Sequence, residues 1–215
     1  MARPIHRNES TVMSAQLTRV ERRKEKTRRT LGEVALGLFY ERSIYWTKIE
    51  DITQGADVGK GTFYQYFETK EALIQELLQE GLNLLLARLE EVIPSLESST
   101  SVLQEIIHAK LDFYVEHPEY LLLFHQVCGL LQVNTQGVKG MREVYQGYLD
   151  RLGRMLRPAL NGTSHVAASD REFAMALSAF TSGLMVHHLL FDKGDFKHRR
   201  EVIQAQLDRS LQALL

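Results

Sequence analysis

The 215-residue sequence predicts an all-α fold: a three-helix, helix-turn-helix head at the N-terminus and a larger helical body behind it. Apolar side chains recur three and four residues apart through most of the chain, the spacing of one helix face. Alternating β-branched runs, the mark of strands, are absent. Breaks at Pro118, Asn134 to Gly137, Pro158 to Ser164 and Asp192 to Asp195 divide the chain into helix-length pieces. No repeat of roughly 34 or 40 residues appears, which disfavours a helical solenoid.

Residues 1–20 are polar and aperiodic and are expected to be a flexible basic extension. A helix is predicted from about Glu21 to Arg42, because Leu31, Val34, Ala35, Leu38 and Phe39 share one face. Thr47 and Glu50, three apart, read as a capping box for a short helix that buries Ile49, Ile52 and Ala56. Asp57 suits a left-handed turn, which its short polar side chain tolerates. A second short helix, from Gly59 to Tyr66, buries Phe63, with Val58 and Phe67 inward at its ends. Thr69 caps a long helix from Lys70 to about Ile93, with Leu73, Ile74, Leu77, Leu78, Leu84, Leu85 and Leu89 inward. Further helices are expected at about 102–116, 118–132, 138–159, 169–191 and 198–214. The domain plan is therefore an extension (1–20), a head (21–69) and a body (70–215).

Composition narrows the class. Hydrophobic residues make up 44% and charged residues 25%, ordinary for a globular protein. The single cysteine, Cys128, cannot form an intrachain disulfide. The longest run of large apolar residues, Tyr120 to Phe124, falls far short of the ~20 needed to cross a bilayer. The start lacks the apolar stretch of a signal peptide, so a cytoplasmic protein with no membrane partner is expected. Asn161-Gly162-Thr163 then reads as a turn rather than a glycosylation site.

Charge is uneven. Residues 1–30 hold nine Lys or Arg against three Glu, which leaves −7 on the remainder of a chain whose net charge is −1. A basic front before an acidic body suits a polyanionic partner at the N-terminal end. The second short helix sharpens this. Around Phe63 it is polar, small or hydroxyl-bearing, and Gly61 costs roughly 1 kcal/mol of helix propensity relative to Ala, which a closely approaching DNA backbone would explain. Lys60, Tyr64 and Tyr66 can donate to phosphate oxygens, Thr62 and Gln65 suit base edges, and Lys70 adds charge at the next helix start. The plainer reading of this segment, a cap on a helical bundle, accounts for Phe63 and Phe67 but not for Gly61 beside two outward tyrosines.

The stretch from Leu31 to Leu78 carries Ala35-x-x-Leu38-Phe39, Ile52, Val58-x-Lys60-Gly61-Thr62-Phe63-Tyr64-x-Tyr66-Phe67 and Lys70-Glu71-Ala72-Leu73. In these residues it closely resembles the DNA-binding region of tetracycline-repressor (TetR) family regulators. The resemblance implies a homodimer whose heads each read one half-site of double-stranded DNA, and whose bodies dimerise and usually bind a small molecule. It also implies DNA contacts from Thr47, Lys48, Gly59, Lys60, Gly61, Thr62, Tyr64, Tyr66 and Lys70. Three positions depart from the pattern: Ser43 and Asp57 stand where glycine is frequent, and Gly59 where a capping Ser or Thr is common.

In the body no motif for metal-dependent, nucleophilic or phosphate-binding catalysis appears, so an enzyme is disfavoured and no cofactor is expected. Phe173, Leu177, Phe180, Leu184 and His188 lie at helical spacing, as do Val202, Ile203, Leu207, Leu211 and Leu214. These two C-terminal faces are candidates for a four-helix dimer interface, with an intramolecular core as the alternative. Phe113, Phe124, Cys128, Met141, Tyr145, Tyr148, Met155 and His187 mix aromatic, soft and polar groups, as an effector pocket would, though each also suits plain core packing. His108, Asp112 and Glu116 on one helix face, or His187 and His188 with Cys128, offer a weaker metal reading, and no metal site is assigned. The function expected is a ligand-responsive transcriptional regulator, a repressor released by an unidentified small molecule. A ligand-independent DNA-binding regulator or DNA-organising protein is the alternative.

Overall fold

In a computed structural model of the chain, residues 19–92, 99–132, 136–160, 169–191 and 196–214 are described, and among them there is no strand. The head comprises α1 (Arg19–Trp46), α2 (Ile49–Gly55) and α3 (Lys60–Tyr64). The body comprises α4 (Lys70–Val92), α5 (Ser99–Glu116), α6 (Pro118–Leu130), α7 (Gln136–Leu160), α8 (Asp170–Phe191) and α9 (Arg200–Leu214). Most of the expected N-terminal extension, residues 1–18, lies outside the described residues, while Arg19 and Val20 already belong to α1.

Leu31, Ala35 and Phe39 bury the inner face of α1 against Ile52, Phe63 and Phe67, so one small core holds the three head helices. The helix does not simply end at Arg42. Ser43 sits at φ 76°, ψ 152°, a region that glycine favours, and the chain continues to Trp46 beyond a bend. Side chains from elsewhere engage the backbone around this bend. Gln126 of α6 accepts from the Ile44 amide at 2.6 Å and donates to the Phe39 carbonyl at 3.2 Å. The Lys70 ammonium donates to the Ile44 and Thr47 carbonyls at 2.8 and 2.9 Å.

The start of α2 differs from the capping box expected at Thr47 and Glu50. Lys48 has the extended backbone of an N-cap, and its amide donates to Asp51 Oδ2 at 2.8 Å, one residue later in register. Thr47 instead points inward, 1% exposed, with its hydroxyl donating to the Ser43 carbonyl at 2.9 Å. Asp57 adopts the left-handed turn at φ 52°, and Thr69 caps α4 by accepting from the Ala72 amide at 3.1 Å.

In the body α4 packs along α7, α7 along α8 and α5 along α9, while α6 lies between α1 and α8. Leu84, expected inward, is 46% exposed because Leu82, Leu85, Leu86 and Leu89 already fill the buried face of α4. Gly81 lets α6 approach: a Cβ there would overlap the Tyr120 ring and come within 2.9 Å of Phe124 Cζ. By length and composition α8 is apolar enough to cross a membrane, yet its inner face packs into the bundle with Ser178, Thr181 and His188 among its buried residues.

Two substitutions test this packing in urea titrations. Ser43→Gly removes the strained side chain and is expected to stabilise the chain by about 1 kcal/mol. Gly81→Ala overfills the α4–α6 contact and is expected to destabilise it by about 1–3 kcal/mol.

Candidate DNA-binding face and internal cavity

The tight Asp57 turn sets α3 across the head with Phe63 fully buried beneath it, its ring centroid 5.6 Å from that of Phe67. That single anchor turns the rest of the segment outward. Gly59, Lys60, Gly61, Tyr64 and Gln65 are exposed, and Thr62 and Tyr66 are half-buried. A Cβ at Gly59 or Gly61 would meet nothing within 4 Å, so neither glycine is needed for packing inside the chain. Lys48 is exposed at the N-cap of α2, and Lys60 pairs with Glu50 across the short helices. That hydrogen bond raises the Lys60 amine and lowers the Glu50 carboxyl from their ordinary values. A groove beside this face is bordered by Glu21, Lys24, Glu25 and Arg28 of α1 together with Gln65 and Tyr66. Lys24, the exposed α1 cation among them, therefore adjoins the same surface beside Glu21 and Glu25, a proximity that the bare charge run at 19–29 does not locate.

Two residues expected at the DNA face have other work. Thr47 is buried, and its hydroxyl is committed to the bend. Lys70 is half-buried and its ammonium holds the end of α1, so it sets the position of the head helices rather than presenting a free cation. Arg28 joins the head to α4: it pairs with Glu76, Nε lying 2.7 Å from Oε1, and covers the Phe67 ring at 5.1 Å.

The body holds a cavity of about 170 Å³ between α4, α5, α6, α7 and α8, with the exposed His125, Cys128, Ala179 and Gly183 among its lining. Phe124, Cys128, Tyr145 and Tyr148, four of the residues expected in a pocket, line it together with Leu82, Tyr114, Leu121, His125, Ser178 and Ser182. The other four do not line it. Phe113 stacks on Tyr120 within the core, Met141 is fully buried, Met155 packs partly buried against the core, and His187 is exposed and stacks on Phe191 at 4.7 Å. Helical spacing groups these eight residues by character, whereas the angle at which each helix crosses its neighbours decides which of them meet.

Behind the cavity wall stands a residue to which the sequence pattern did not point. Lys110 of α5 is fully buried, with Nζ 3.2 Å from Ser178 Oγ and 3.5 Å from the Tyr148 hydroxyl. Those two hydroxyls are 3.2 Å apart. Burial alone draws the Lys110 ammonium down to about 7. Burial likewise pushes the Tyr114, Tyr145 and Tyr148 phenols up, so all three stay protonated as donors. A signal was present, since Ile106, Ile107, Leu111 and Tyr114 surround position 110 on the helix stripe, but a lysine there is ordinarily read as snorkelling outward.

The metal readings dissolve into ion pairs and ring contacts. His108 bonds Asp208 at 2.7 Å, Asp112 bonds Arg200 at 2.5 Å and Glu116 bonds Arg88 at 3.5 Å. His188 is buried against Gln206, and no group of potential metal ligands occurs among the described residues. The C-terminal stripe also behaves differently from expectation. Leu177, His188 and Leu207 face the bundle, Phe173, Phe180 and Leu184 pack partly buried against it, and the Leu211 side chain lies outside the described residues. The outward faces of α8 and α9 carry Met175, Ala176, Ala179, Gly183, Leu190, Val202 and Ala205.

Residues 32–77 match the family described as bacterial regulatory proteins, tetR family, and residues 100–215 match the BetI-type transcriptional repressor C-terminal family. This chain belongs to the TetR family. Its members are transcriptional regulators, not enzymes. The chain is 26% identical over 137 residues to the HTH-type transcriptional repressor KstR2 of Rhodococcus jostii, an alignment covering 59% of this chain and 65% of that one. With KstR2 of Mycobacterium tuberculosis, 29% identical over 108 residues, it covers 54% of the relative, so the chain spans less than two thirds of the curated relatives it matches. Among solved structures it resembles FadR of Bacillus subtilis in complex with stearoyl-CoA, with TM-score 0.66, 19% identity and coverage of 83% of this chain and 96% of that one. It also resembles the ketosteroid transcriptional regulator KstR2 of Mycobacterium tuberculosis, with TM-score 0.63, 20% identity and coverage of 86% and 93%. These likenesses establish the TetR-family fold.

The buried amine in this TetR-family body has a consequence for stability. Between pH 7 and about 10 the unfolded chain carries a proton on Lys110 that the folded chain lacks, so this group makes stability rise with pH across that window. Denaturant titrations at pH 7.0 and 9.5 are expected to show wild type gaining stability relative to Lys110→Met, by at most about 1.4 kcal/mol per pH unit.

Proposed function

We propose that this TetR-family chain is a ligand-responsive transcriptional repressor, acting in the cytoplasm as a homodimer on a palindromic operator. The observation that carries the reading is the path through α6. This helix lines the cavity with Phe124, His125 and Cys128, and between them Gln126 grips the bend that ends the main run of α1. A ligand that displaces α6 therefore acts on the platform that holds α2 and α3. Recognition helices of a dimer read successive major grooves only near a separation of about 34–36 Å, so a modest tilt of each head is enough to lose the operator. The ligand shifts the balance by its differential affinity for the two arrangements and by no more than that.

In the DNA-bound state Gly59 and Gly61 admit the sugar-phosphate backbone, Lys48, Lys60, Tyr64 and Tyr66 contact phosphates, and Thr62 and Gln65 face base edges. Phosphate competes with Glu50 for Lys60, exchanging one exposed ion pair for another. Lys24 on α1 adds a phosphate contact from the neighbouring groove. Dimerisation uses the outward faces of α8 and α9, where Ala176, Ala179, Gly183 and Ala205 allow helices to approach closely and Met175, Leu190 and Val202 supply apolar area.

Fluorescence anisotropy with matched and scrambled duplexes at two salt concentrations tests the roles. Gly61→Ala should keep or raise thermal stability, because alanine is the better helix former by about 1 kcal/mol, yet lose operator affinity. Lys48→Ala should weaken all duplexes alike and lower the salt slope by about one, whereas Thr62→Ala should change base preference by about 1–3 kcal/mol. Unchanged operator affinity in Gly61→Ala, or equal binding of matched and scrambled duplexes by wild type, would remove the basis of the reading.

A further inference from the structure

Lys110 is the fully buried cation among the described residues, and no carboxylate pairs with it. As a fold device it is a poor choice, since an apolar side chain of similar size usually stabilises such a position more. Its surroundings supply a different reason. Its two partners, Ser178 from α8 and Tyr148 from α7, line the cavity. Each hydroxyl can accept from the ammonium and turn its own proton toward the cavity. Tyr114 and Ser182 add further hydroxyls to the wall, and no Asp or Glu lines it. Leu82, Leu121, Phe124 and Val186 make much of the remaining wall apolar, with the exposed His125 and Cys128 of α6 also lining it. One end of the cavity is thus a set of O–H donors backed by an amine that a bound anion can hold in its charged form.

We propose that the cavity binds a small carboxylate with an apolar or aromatic body, its carboxylate accepting from Ser178 and Tyr148 and held there by the Lys110 charge behind them. This rests on the ligand-responsive reading above and assigns its effector class. At about 170 Å³ the cavity is smaller than the roughly 300 Å³ at which drug-sized sites begin, so the body is compact. The titratable groups around the amine and the cavity are Tyr148 and Tyr145 from α7, Tyr114 of its own helix, and His125 and Cys128 from α6. None of these supplies a negative charge near neutral pH. The incoming carboxylate does, and at pH 8 it draws a proton onto Lys110 as it binds.

Isothermal titration calorimetry on the full chain tests this with hexanoate, octanoate and 3-phenylpropanoate, each set against its alcohol and its methyl ester. Runs at pH 8 in two buffers of different ionisation heat report proton uptake. At least one acid is expected to bind about tenfold or more tightly than both neutral counterparts, with net proton uptake, the preference of a charge-assisted hydrogen bond. Lys110→Met should abolish the preference and the uptake while melting at or above the wild-type temperature. Ser178→Ala, which retains the amine, should reduce the preference without weakening the alcohol equally. Acids binding no better than alcohols and esters in wild type, or the preference surviving in Lys110→Met, would overturn the proposal. A marked loss of thermal stability in that variant would also overturn it, by assigning the amine to the fold. Operator binding by the wild-type chain without added ligand is measured separately, so failure of the regulator reading is distinct from failure of the ligand class.

Discussion

The bend at Ser43 is the constraint on which the rest of the molecule depends. A residue with a Cβ is held in glycine-like backbone geometry, at a cost of about 1–3 kcal/mol, because groups from two other helices engage the chain beside it. Gln126 comes from α6 and Lys70 from the first turn of α4. Their hydrogen bonds make the end of α1 a fixed platform, from which α2 and α3 depart at a set angle. Without that platform the head would be a small helical cluster on a swivel. With it, the reading helix is mechanically part of the body.

The same junction gives the head and the cavity a shared component. Neighbouring residues of α6 alternate between the two: Phe124, His125 and Cys128 face the cavity, while Gln126 faces α1. A packed helix moves as a unit, because close-packed interiors transmit displacement rather than absorb it. Glu76 of α4 makes a second bridge through Arg28, so the head is held at both ends of its inner surface. Two attachments, one beside the cavity and one on the long helix leading from the head, are what a tilting head requires.

Among the described residues the body's fully buried cation lies in one cluster, Lys110, Tyr148 and Ser178 with Tyr114 and Ser182 nearby. Elsewhere its charges are paired at the surface between helices, as with Arg200 and Asp112 or Arg171 and Asp150. Such exposed pairs contribute little each and orient the helices at most. The interior polarity differs in kind, since burial drives the Lys110 ammonium toward its neutral amine and no carboxylate pairs with it.

Much of the head is legible in local chemistry. The Leu31, Ala35 and Phe39 stripe, the left-handed Asp57, the Thr69 cap and the inward Phe63 all follow from interactions within a few residues, and so do the exposed glycines of α3. Expectation and fold part company where distant segments of the chain meet. Thr47 turns inward because Ser43 and Leu38 offer it carbonyls, and Lys70 turns back because the bend leaves carbonyls within its reach. The apolar stripe of α8 is plain in its spacing, but Leu177 and His188 face this chain's own core, since periodicity identifies a face without identifying what covers it. Sequence alone determined the helices and their order, because helix period, capping and turn chemistry are short-range, and its motif residues carried the resemblance to the TetR family. Only the tertiary structure decided which side chains surround the cavity and that Lys110 lies behind it, because helix crossing angles and burial are set by every packed neighbour at once.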